Sequence, residues 1–360
     1  MHMRGALVPS IQKTFDVSPS LLGLIAPAGT IGFSLTSITL GMLAGKIKMK
    51  QFFLISLGFN SLALALMGIA NSYYLFLIFL VGQGLAAGVF RGLDRTILSH
   101  MFPDRRGWII SIQGVVWAAG GAIGPLFVAL ITYFGDWQWT YRIAAFALIP
   151  IFFLVLRIEL PPSSEAEEAI SRSRLKKILK EPATLTMISA LVLTGGVEGS
   201  FFTWLPYYMG QSLPASVANV SLSIFLTAYI PGRYVFGRLS ERYDYLKLVL
   251  VNGIIASGFI FLTFFLDLGY FQLGTVFAVG FLVSGMFPLL MSMGADLFPT
   301  NSGPINAIAM GSGTLGVSLW PSLIGVLADI YSIESAMKVL LPFMLAVTSI
   351  VFIVRRNMKG

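Results

Sequence analysis

Eleven runs of about twenty apolar residues constrain the fold of this sequence more than any other feature. A run of that length can cross the hydrocarbon core of a bilayer as a helix, because a helix satisfies its own backbone hydrogen bonds. Only 11% of the residues are charged, against about 25% in soluble domains, so a soluble enzyme is excluded. The sequence therefore predicts an all-α, polytopic membrane protein with about 11 transmembrane helices. The runs lie at 20–44, 51–70, 74–98, 108–133, 139–157, 184–209, 216–237, 247–267, 270–297, 304–329 and 333–354.

The composition excludes several kinds of chemistry. The sequence has no cysteine and two histidines, which excludes disulfides, thiol nucleophiles, iron–sulfur clusters and cysteine-based zinc sites. We therefore expect no cofactor and no metal. The formal net charge of +8 lies mostly in short loops between apolar runs. Such loops are typical of the cytoplasmic side of a membrane protein, so the expected partner is the lipid bilayer and not a nucleic acid.

The basic residues predict the orientation of the chain in the membrane. If the loop after the first run is cytoplasmic, 20 of the 24 Lys and Arg residues fall on that side, with Arg233 counted among them. The other four are Arg4, Lys13, Arg142 and Lys338. This bias predicts a multi-pass protein of the cell membrane, plasma or inner, with its C-terminus in the cytoplasm.

A polar stretch at 158–183 divides the chain into an N-terminal bundle, 1–157, and a C-terminal bundle, 184–360. The acidic first half and basic second half of this stretch indicate a cytoplasmic linker with an amphipathic helical portion. The two halves match at a constant offset of 196 residues, mainly at glycine and proline. A constant offset indicates two bundles of the same topology, related by an axis along the membrane normal, as in a large group of secondary transporters. The matched pairs include Gly41 with Gly237, Gly84 with Gly280, Pro103 with Pro299, Gly120 with Gly316 and Pro125 with Pro321.

Several loop motifs add a resemblance to a known family. The loop Gly237-Arg238-Leu239-Ser240-Glu241-Arg242 is similar to the G-x-L-[AS]-D-R motif of the Major Facilitator Superfamily, and 41–46 is a weaker copy in which Gly45 replaces the acid. Pro103-Asp104-Arg105-Arg106-Gly107 resembles the family's P-x-x-R-R-G turn, and Gly124-Pro125 resembles part of its glycine-proline motif. The resemblance implies two pseudo-symmetric six-helix-type bundles that transport a small molecule.

That family has twelve spans, and this sequence has eleven. Residues 1–19 are similar to the outer end of the family's first helix and the loop that follows it. We therefore expect a truncated or misassigned start in preference to a genuine eleven-span design. The position of the family's helix-4 arginine is occupied by Leu80, so no proton-relay role is expected there.

Glu198 is the most informative candidate for a functional site. It is the one charge in the run 184–209, and a charge at mid-membrane costs about 2.5–3.5 kcal/mol on insertion scales, so such residues usually face a cavity or a partner. We expect it to carry a proton during transport; the alternative is a protonated acid within helix packing.

Further candidates for a substrate or proton site are Gln113 and Trp117, which are i, i+4 neighbours, then Trp204, Tyr207 and Arg4. Tyr207 is equally typical of an interfacial aromatic belt, and Arg4 would bind an anionic substrate, pair with Glu198 or lie at the outer interface.

The resemblance also implies a charge latch that closes the cytoplasmic side. Its expected members in the second half are Glu241, Arg242, Arg238 and Asp296, which would contact the region of Arg105 and Arg106 in the first half. Arg91 and Asp94 lie near the cytoplasmic end of the third run, where a paired cluster at the gate is expected.

Gly311-x-Gly313-x-x-Gly316 is a literal dinucleotide-binding pattern inside an apolar run. No strand precedes it, so small residues for close helix packing are the better interpretation.

The sequence thus predicts a secondary active transporter that moves a small organic solute by alternating access, with proton coupling and acting as a monomer. A facilitator or nutrient importer of the same fold is one alternative. The other is a non-transporting, degenerate family member or fragment that acts as a sensor or scaffold.

Overall fold

The computed structural model describes residues 2–43, 47–158, 179–297 and 302–357. We call the side of the molecule that carries the basic loops the inner side and the opposite side the outer side. The described residues hold 11 helical segments that are long and apolar enough to cross a membrane. This confirms the predicted fold class. Most of the predicted linker, 159–178, and the loop residues 44–46 lie outside the described residues.

The first half of the chain forms a helical bundle. Its helices are α1 (His2–Phe15), α2 (Pro19–Gly23), α3 (Ile25–Leu43), α4 (Met49–Met67), α5 (Tyr73–Met101), α6 (Arg106–Phe134) and α7 (Gln138–Arg157). Helices α2 and α3 together form one span, Pro19–Leu40. The segment expected to be a remnant of a first helix is α1, which packs against α6.

The second half forms the other bundle. Its helices are α8 (Pro182–Met209), α9 (Ala215–Thr227), α10 (Tyr229–Ser240), α11 (Tyr245–Phe265), α12 (Gln272–Val283), α13 (Met286–Leu297), α14 (Ser302–Ile330), α15 (Ile333–Met337) and α16 (Leu340–Asn357). Two spans each consist of two helices with a break between them. Helices α9 and α10 form the span Ala215–Ser240, and α12 and α13 form the span Gly269–Gly294.

The break between α9 and α10 has a clear cause in the sequence. Pro231 has no backbone N–H, and its ring clashes with the carbonyl four residues earlier, that of Thr227. Helix α9 ends at Thr227 and α10 begins at Tyr229. The break lies directly before Tyr229 and about one turn before Arg233.

The two bundles meet through their outer halves. Helix α1 packs on α8, α2 and α3 pack on α14, and α6 packs on α9. One continuous apolar core includes Phe76 and Trp137 of the first bundle and Phe201 and Trp204 of the second. Near the inner end of the first bundle, Leu40, Met49, Leu93 and Ile97 form a separate small cluster. Apolar packing thus joins the bundles on the outer side.

Polar contacts close the same outer side. The backbone N–H of Ser20 donates to Asp329 Oδ2 at 3.0 Å, and Ser322 Oγ donates to the carbonyl of Gly23 at 2.9 Å. Deeper in the membrane, the hydroxyls of Thr30 and Ser318 are in contact. A Cβ atom at Gly23 would lie 3.0 Å from Ser322 Cα, so the glycine permits this close approach of the two backbones.

Candidate functional site

Glu198 lies in the second bundle on α8, about 24 Å along a helix of about 42 Å. Its side chain is half-buried, and its Oε1 accepts a hydrogen bond of 2.8 Å from the hydroxyl of Tyr229. Arg233, one turn further along α10, is close enough to act electrostatically on the Glu198 carboxyl. The acid that the sequence singled out therefore sits in a polar cluster between α8 and α10.

Arg233 connects this cluster to the other bundle. Its guanidinium carbon lies 5.4 Å from the centre of the Tyr229 ring and 5.2 Å from the centre of the Trp117 ring. A guanidinium over an aromatic face is attracted by the ring's quadrupole. Trp117 belongs to α6, so this cation–π contact crosses from one bundle to the other, on the inner side of the midpoint of both spans.

Sequence reasoning missed Tyr229 and Arg233. Arg233 was counted as a loop charge, but it lies inside the span Ala215–Ser240, seven residues before the span's inner end. The signal was present, because a charge within an apolar run is the argument that identified Glu198. Tyr229 carried no such signal, since an aromatic residue in a membrane helix is common.

A second polar cluster lies in the first bundle. Arg4 on α1 donates from Nη2 to Gln83 Oε1 on α5, and Gln83 Nε2 donates to Asn60 Oδ1 on α4 at 3.0 Å. Arg4 also lines a small cavity between the bundles together with Thr30, Gly199, Phe202 and Thr203. The sequence left open whether Arg4 binds a substrate, pairs with Glu198 or lies at the outer interface. In the structure, Arg4 lies in the wall of the cavity. It shows no ion pair between Arg4 and Glu198.

Gln113 and Trp117 have different partners. Gln113 Nε2 donates to Asp94 Oδ2 at 2.6 Å, whereas Trp117 contacts Arg233 of the other bundle. Asp94 is buried and also accepts from Arg91 Nη1 at 3.0 Å. These residues form a polar group within the first bundle on the inner side of Trp117.

Trp204 and Tyr207 are part of helix packing. Trp204 is fully buried, and its indole Nε1 donates to the carbonyl of Pro321 at 2.8 Å. The ring of Tyr207 meets it edge-on, with 5.7 Å between ring centres. Neither residue lines the small cavity beside Arg4. Sequence reasoning placed them near the substrate because it could not tell which face of α8 turns towards α14.

The described side chains show no ion pair between the expected latch residues of the two halves. Glu241, Arg242, Arg238 and Arg105 are exposed, and no ion pair joins any of them to the other bundle among the described side chains. Asp296 accepts a hydrogen bond of 3.0 Å from the hydroxyl of Tyr245, within its own bundle. The side chain of Arg106, which begins α6, lies outside the described part of the structure. Their exposure fits a molecule whose bundles meet on the outer side.

Within the described ranges, no group of three or more His, Cys, Asp or Glu side chains is placed to hold a metal ion. The charges near mid-membrane instead lie beside aromatic rings, amides and hydroxyls at the boundary between two bundles.

Comparison with solved structures supports this architecture. The chain is similar to a bacterial homologue of the human lysosomal transporter Spinster, in an inward-facing and unoccupied conformation, with a TM-score of 0.83 and 13% identity over 99% of this chain and 93% of that one. It is also similar to a variant of the nucleoside transporter NupG, with a TM-score of 0.83 and 11% identity over 98% of this chain and 94% of that one. At such identities the likeness shows the fold.

Comparison of the sequence identifies the family. A TsgA homologue of Buchnera aphidicola is 21% identical over 93% of this chain and 86% of that protein. A putative niacin/nicotinamide transporter, NiaP, of Bacillus subtilis is 26% identical over 89% of this chain and 83% of that protein. The sequence profile of the Major Facilitator Superfamily matches residues 3–302 and 208–359. The chain is therefore a multi-pass membrane transporter that belongs to the Major Facilitator Superfamily.

Proposed function

We propose that this transporter is secondary active, that it moves a small organic solute by alternating access, and that protons drive it through Glu198. The two bundles rock about a site near the middle of the membrane, so that the site opens to one side at a time. We further propose that the chain works as a monomer in the cell membrane with its C-terminus in the cytoplasm, and that 158–183 links bundles 1–157 and 184–360.

The observation that carries this proposal is the contact between Glu198 and Tyr229 beside Arg233. A charged carboxylate is costly inside a membrane unless it has a partner. Burial favours the neutral acid, whereas the hydroxyl of Tyr229 and the positive charge of Arg233 favour the charged form. Because Arg233 also rests on Trp117 of the other bundle, a rocking motion would change the surroundings of Glu198. The acid would then release its proton in one conformation and bind one in the other.

The groups that face Glu198 limit which residue can respond to pH. The titratable and charged neighbours that act on it are Tyr229 and Arg233, both on α10. Arginine stays protonated at all working pH values, and a tyrosine hydroxyl ordinarily ionises near pH 10. Glu198 is therefore the member of this cluster that can exchange a proton near neutral pH.

The test uses Glu198→Gln, which keeps the shape of the side chain and removes its acid. Purified protein is first screened by thermal shift against a library of small organic acids, amides and amines. The solute that most raises the melting temperature is then studied in proteoliposomes that enclose a pH-sensitive dye. We expect the wild type to couple solute entry to proton movement. Glu198→Gln should exchange solute for solute but move no protons, because exchange does not require deprotonation.

Glu334→Gln is the matched control, since it removes an exposed acid on the outer side and should leave proton movement unchanged. Full proton coupling in Glu198→Gln would overturn the proton mechanism. Equal solute flux with and without a proton gradient in the wild type would favour the facilitator instead. Binding with no flux or exchange of any solute would favour the non-transporting sensor or scaffold.

A further inference from the structure

Arg4 is a positive charge inside the first bundle that the proton mechanism does not use. It lies on α1, is half-buried and forms part of the wall of the cavity between the bundles. Its described hydrogen bond goes from Nη2 to the amide oxygen of Gln83. A guanidinium has five N–H donors, so most of its donors are not used by that bond.

No acid neutralises Arg4 in the described structure. The ion pairs there join Arg91 to Asp94 and Arg355 to Asp244. The titratable group that acts on Arg4 is the phenol of Tyr141, which is neutral at ordinary pH. Glu198 is engaged by Tyr229 and Arg233. No ion pair joins Glu198 to Arg4, so Arg4 is an uncompensated cation, without an acidic partner among the described residues.

The surroundings hold the guanidinium in place without cancelling its charge. Asn60 accepts from the amide nitrogen of Gln83 at 3.0 Å, which leaves the Gln83 oxygen directed at Arg4. A Cβ atom at Gly29 would coincide with the Arg4 guanidinium. The neutral amide and the glycine fix the position of the cation, which an anionic ligand would require.

The cavity beside Arg4 is small and belongs to both bundles. Its walls include Thr30 from the first bundle and Phe202 and Thr203 from the second. The cavity volume that the centre of a water molecule can occupy is about 30 Å³. This is enough room for about two water molecules. In this conformation the cavity thus has room for a head group and not for a whole solute. Thr30 also contacts Ser318 across the bundle boundary, so rocking of the bundles would change the size of the cavity.

We propose that the transported solute is a small organic monoanion whose carboxylate binds the guanidinium of Arg4. One uncompensated cation matches one negative charge, and the planar fork of arginine fits a carboxylate with two parallel hydrogen bonds. The Phe202 ring and the hydroxyls of Thr30 and Thr203 would meet the remainder of the solute. This inference rests on the proposed transport function, and it specifies the class of substrate.

The first experiment compares charge at constant shape. Purified full-length protein is tested by thermal shift with a panel of aromatic and aliphatic monocarboxylates, benzoate among them, each paired with its neutral amide and with an amine of similar size. We expect the compounds that raise the melting temperature to be carboxylates, with little or no effect of their amides. Stabilisation by amides or amines in preference to acids, or by no member of the panel, would overturn the proposal.

The second experiment tests whether Arg4 is the binding group. We expect Arg4→Gln to weaken binding of the best carboxylate by about tenfold to a hundredfold, the effect of losing a charged, two-point hydrogen bond. Arg4→Lys keeps the charge and loses the fork, so it should bind with intermediate affinity. Lys13→Gln is the matched control, because it removes one positive charge from an exposed position on the same helix, α1.

Gln83→Glu provides a test that does not depend on whether Arg4 variants fold. A carboxylate at position 83 would give Arg4 an internal counter-ion, so we expect equal or higher thermal stability and loss of carboxylate binding. Undiminished carboxylate binding in folded Gln83→Glu, or in folded Arg4→Gln, would overturn the assignment of Arg4.

The outcomes separate this inference from the transport proposal. Proton-driven flux of a neutral or cationic solute would leave the proposed function intact and overturn the anion site. Carboxylate binding that depends on Arg4, without any flux or exchange in proteoliposomes, would support the site and contradict transport.

Discussion

Glu198 and Arg233 place opposite charges near the middle of the membrane, and the surrounding aromatic residues explain how both are accommodated. The Tyr229 hydroxyl donates to Glu198 at 2.8 Å, while the Tyr229 ring lies beneath Arg233. Tyr229 thus contacts both charged side chains. Trp117 adds a second ring from the other bundle, so the position of Arg233 depends on how the bundles are arranged.

Replacing Arg233 by lysine separates its charge from its flat shape. Arg233→Lys keeps the positive charge near Glu198 but loses the planar group that stacks on two rings. Arg233 and Trp117 are exposed, and an exposed cation–π contact is worth about 0.5–1 kcal/mol, so we expect solute flux to fall about fivefold, with the remaining flux still coupled to protons. Initial rates and proton-to-solute ratios in proteoliposomes measure the two effects.

Lys338→Gln removes a cation–π contact at the outer surface, where the amine lies 5.4 Å from the Phe265 ring, and should change neither quantity. Normal flux in Arg233→Lys would mean that the charge alone is required and that stacking on Trp117 has no role.

Helices α8 and α14 show how small residues allow two elements to approach closely. A Cβ atom at Gly199 would lie 2.6 Å from Val317 Cα, and one at Gly316 would overlap the carbonyl oxygen of Val192. Two indole hydrogen bonds join α8 to α14. Trp204 donates to the carbonyl of Pro321, and Trp320 donates to the carbonyl of Val192 at 3.1 Å. Of the three glycines that imitate a dinucleotide motif, Gly313 and Gly316 therefore lie at this close contact, whereas Gly311 does not.

Two glycine-to-alanine changes on α14 should act in opposite directions. Gly316→Ala forces a methyl group against the α8 backbone, and overpacking of this kind typically costs about 1–3 kcal/mol. Gly311→Ala meets nothing within 4 Å and should be neutral or stabilising by up to about 1 kcal/mol, because alanine favours a helix over glycine. Melting temperatures of the purified variants in one detergent test this. Equal melting temperatures would show that the helices separate at Gly316 without a penalty.

At the scale of the whole molecule, the two bundles pack against each other mainly on the outer side. The contact of Ser20 with Asp329 and the contact of Ser322 with Gly23 join α2 to α14 there. On the inner side, Glu241 and Arg105 are exposed and Leu40, Met49, Leu93 and Ile97 form a separate cluster. The proposed alternating access requires the outer contacts to open, and the inner latch, which remains a prediction, would form in that state.

A reversible cross-link across the outer contact should stop transport. The natural sequence has no cysteine, so Ser20→Cys with Asp329→Cys introduces one defined thiol pair where the backbone N–H of Ser20 now lies 3.0 Å from Asp329 Oδ2. A short, cleavable thiol cross-linker should abolish solute flux, and a reducing agent should restore it. Each single variant treated in the same way serves as the control. Undiminished flux in the fully cross-linked protein would contradict opening at this contact.

The sequence by itself determined the class of fold and the most prominent acid. A lipid bilayer offers no hydrogen bonds to an exposed backbone, so eleven long apolar runs could only be helical spans, and the loop motifs indicated the family. Glu198 stood out because a charge is rare in such a run. These conclusions depend on the local sequence alone, that is, on apolar runs, loop motifs and one isolated charge. They could therefore be reached without coordinates.

The tertiary structure decided which side chains meet. Trp204 and Trp117 are the same residue type in similar apolar runs, yet one is fully buried against Pro321 and the other contacts Arg233 across the bundles. Arg4 has a glutamine and no acid beside it, a fact that depends on how α1, α4 and α5 pack. Inside the membrane the meaning of a charge depends on its neighbours, and residues far apart in the chain become neighbours only when the helices pack.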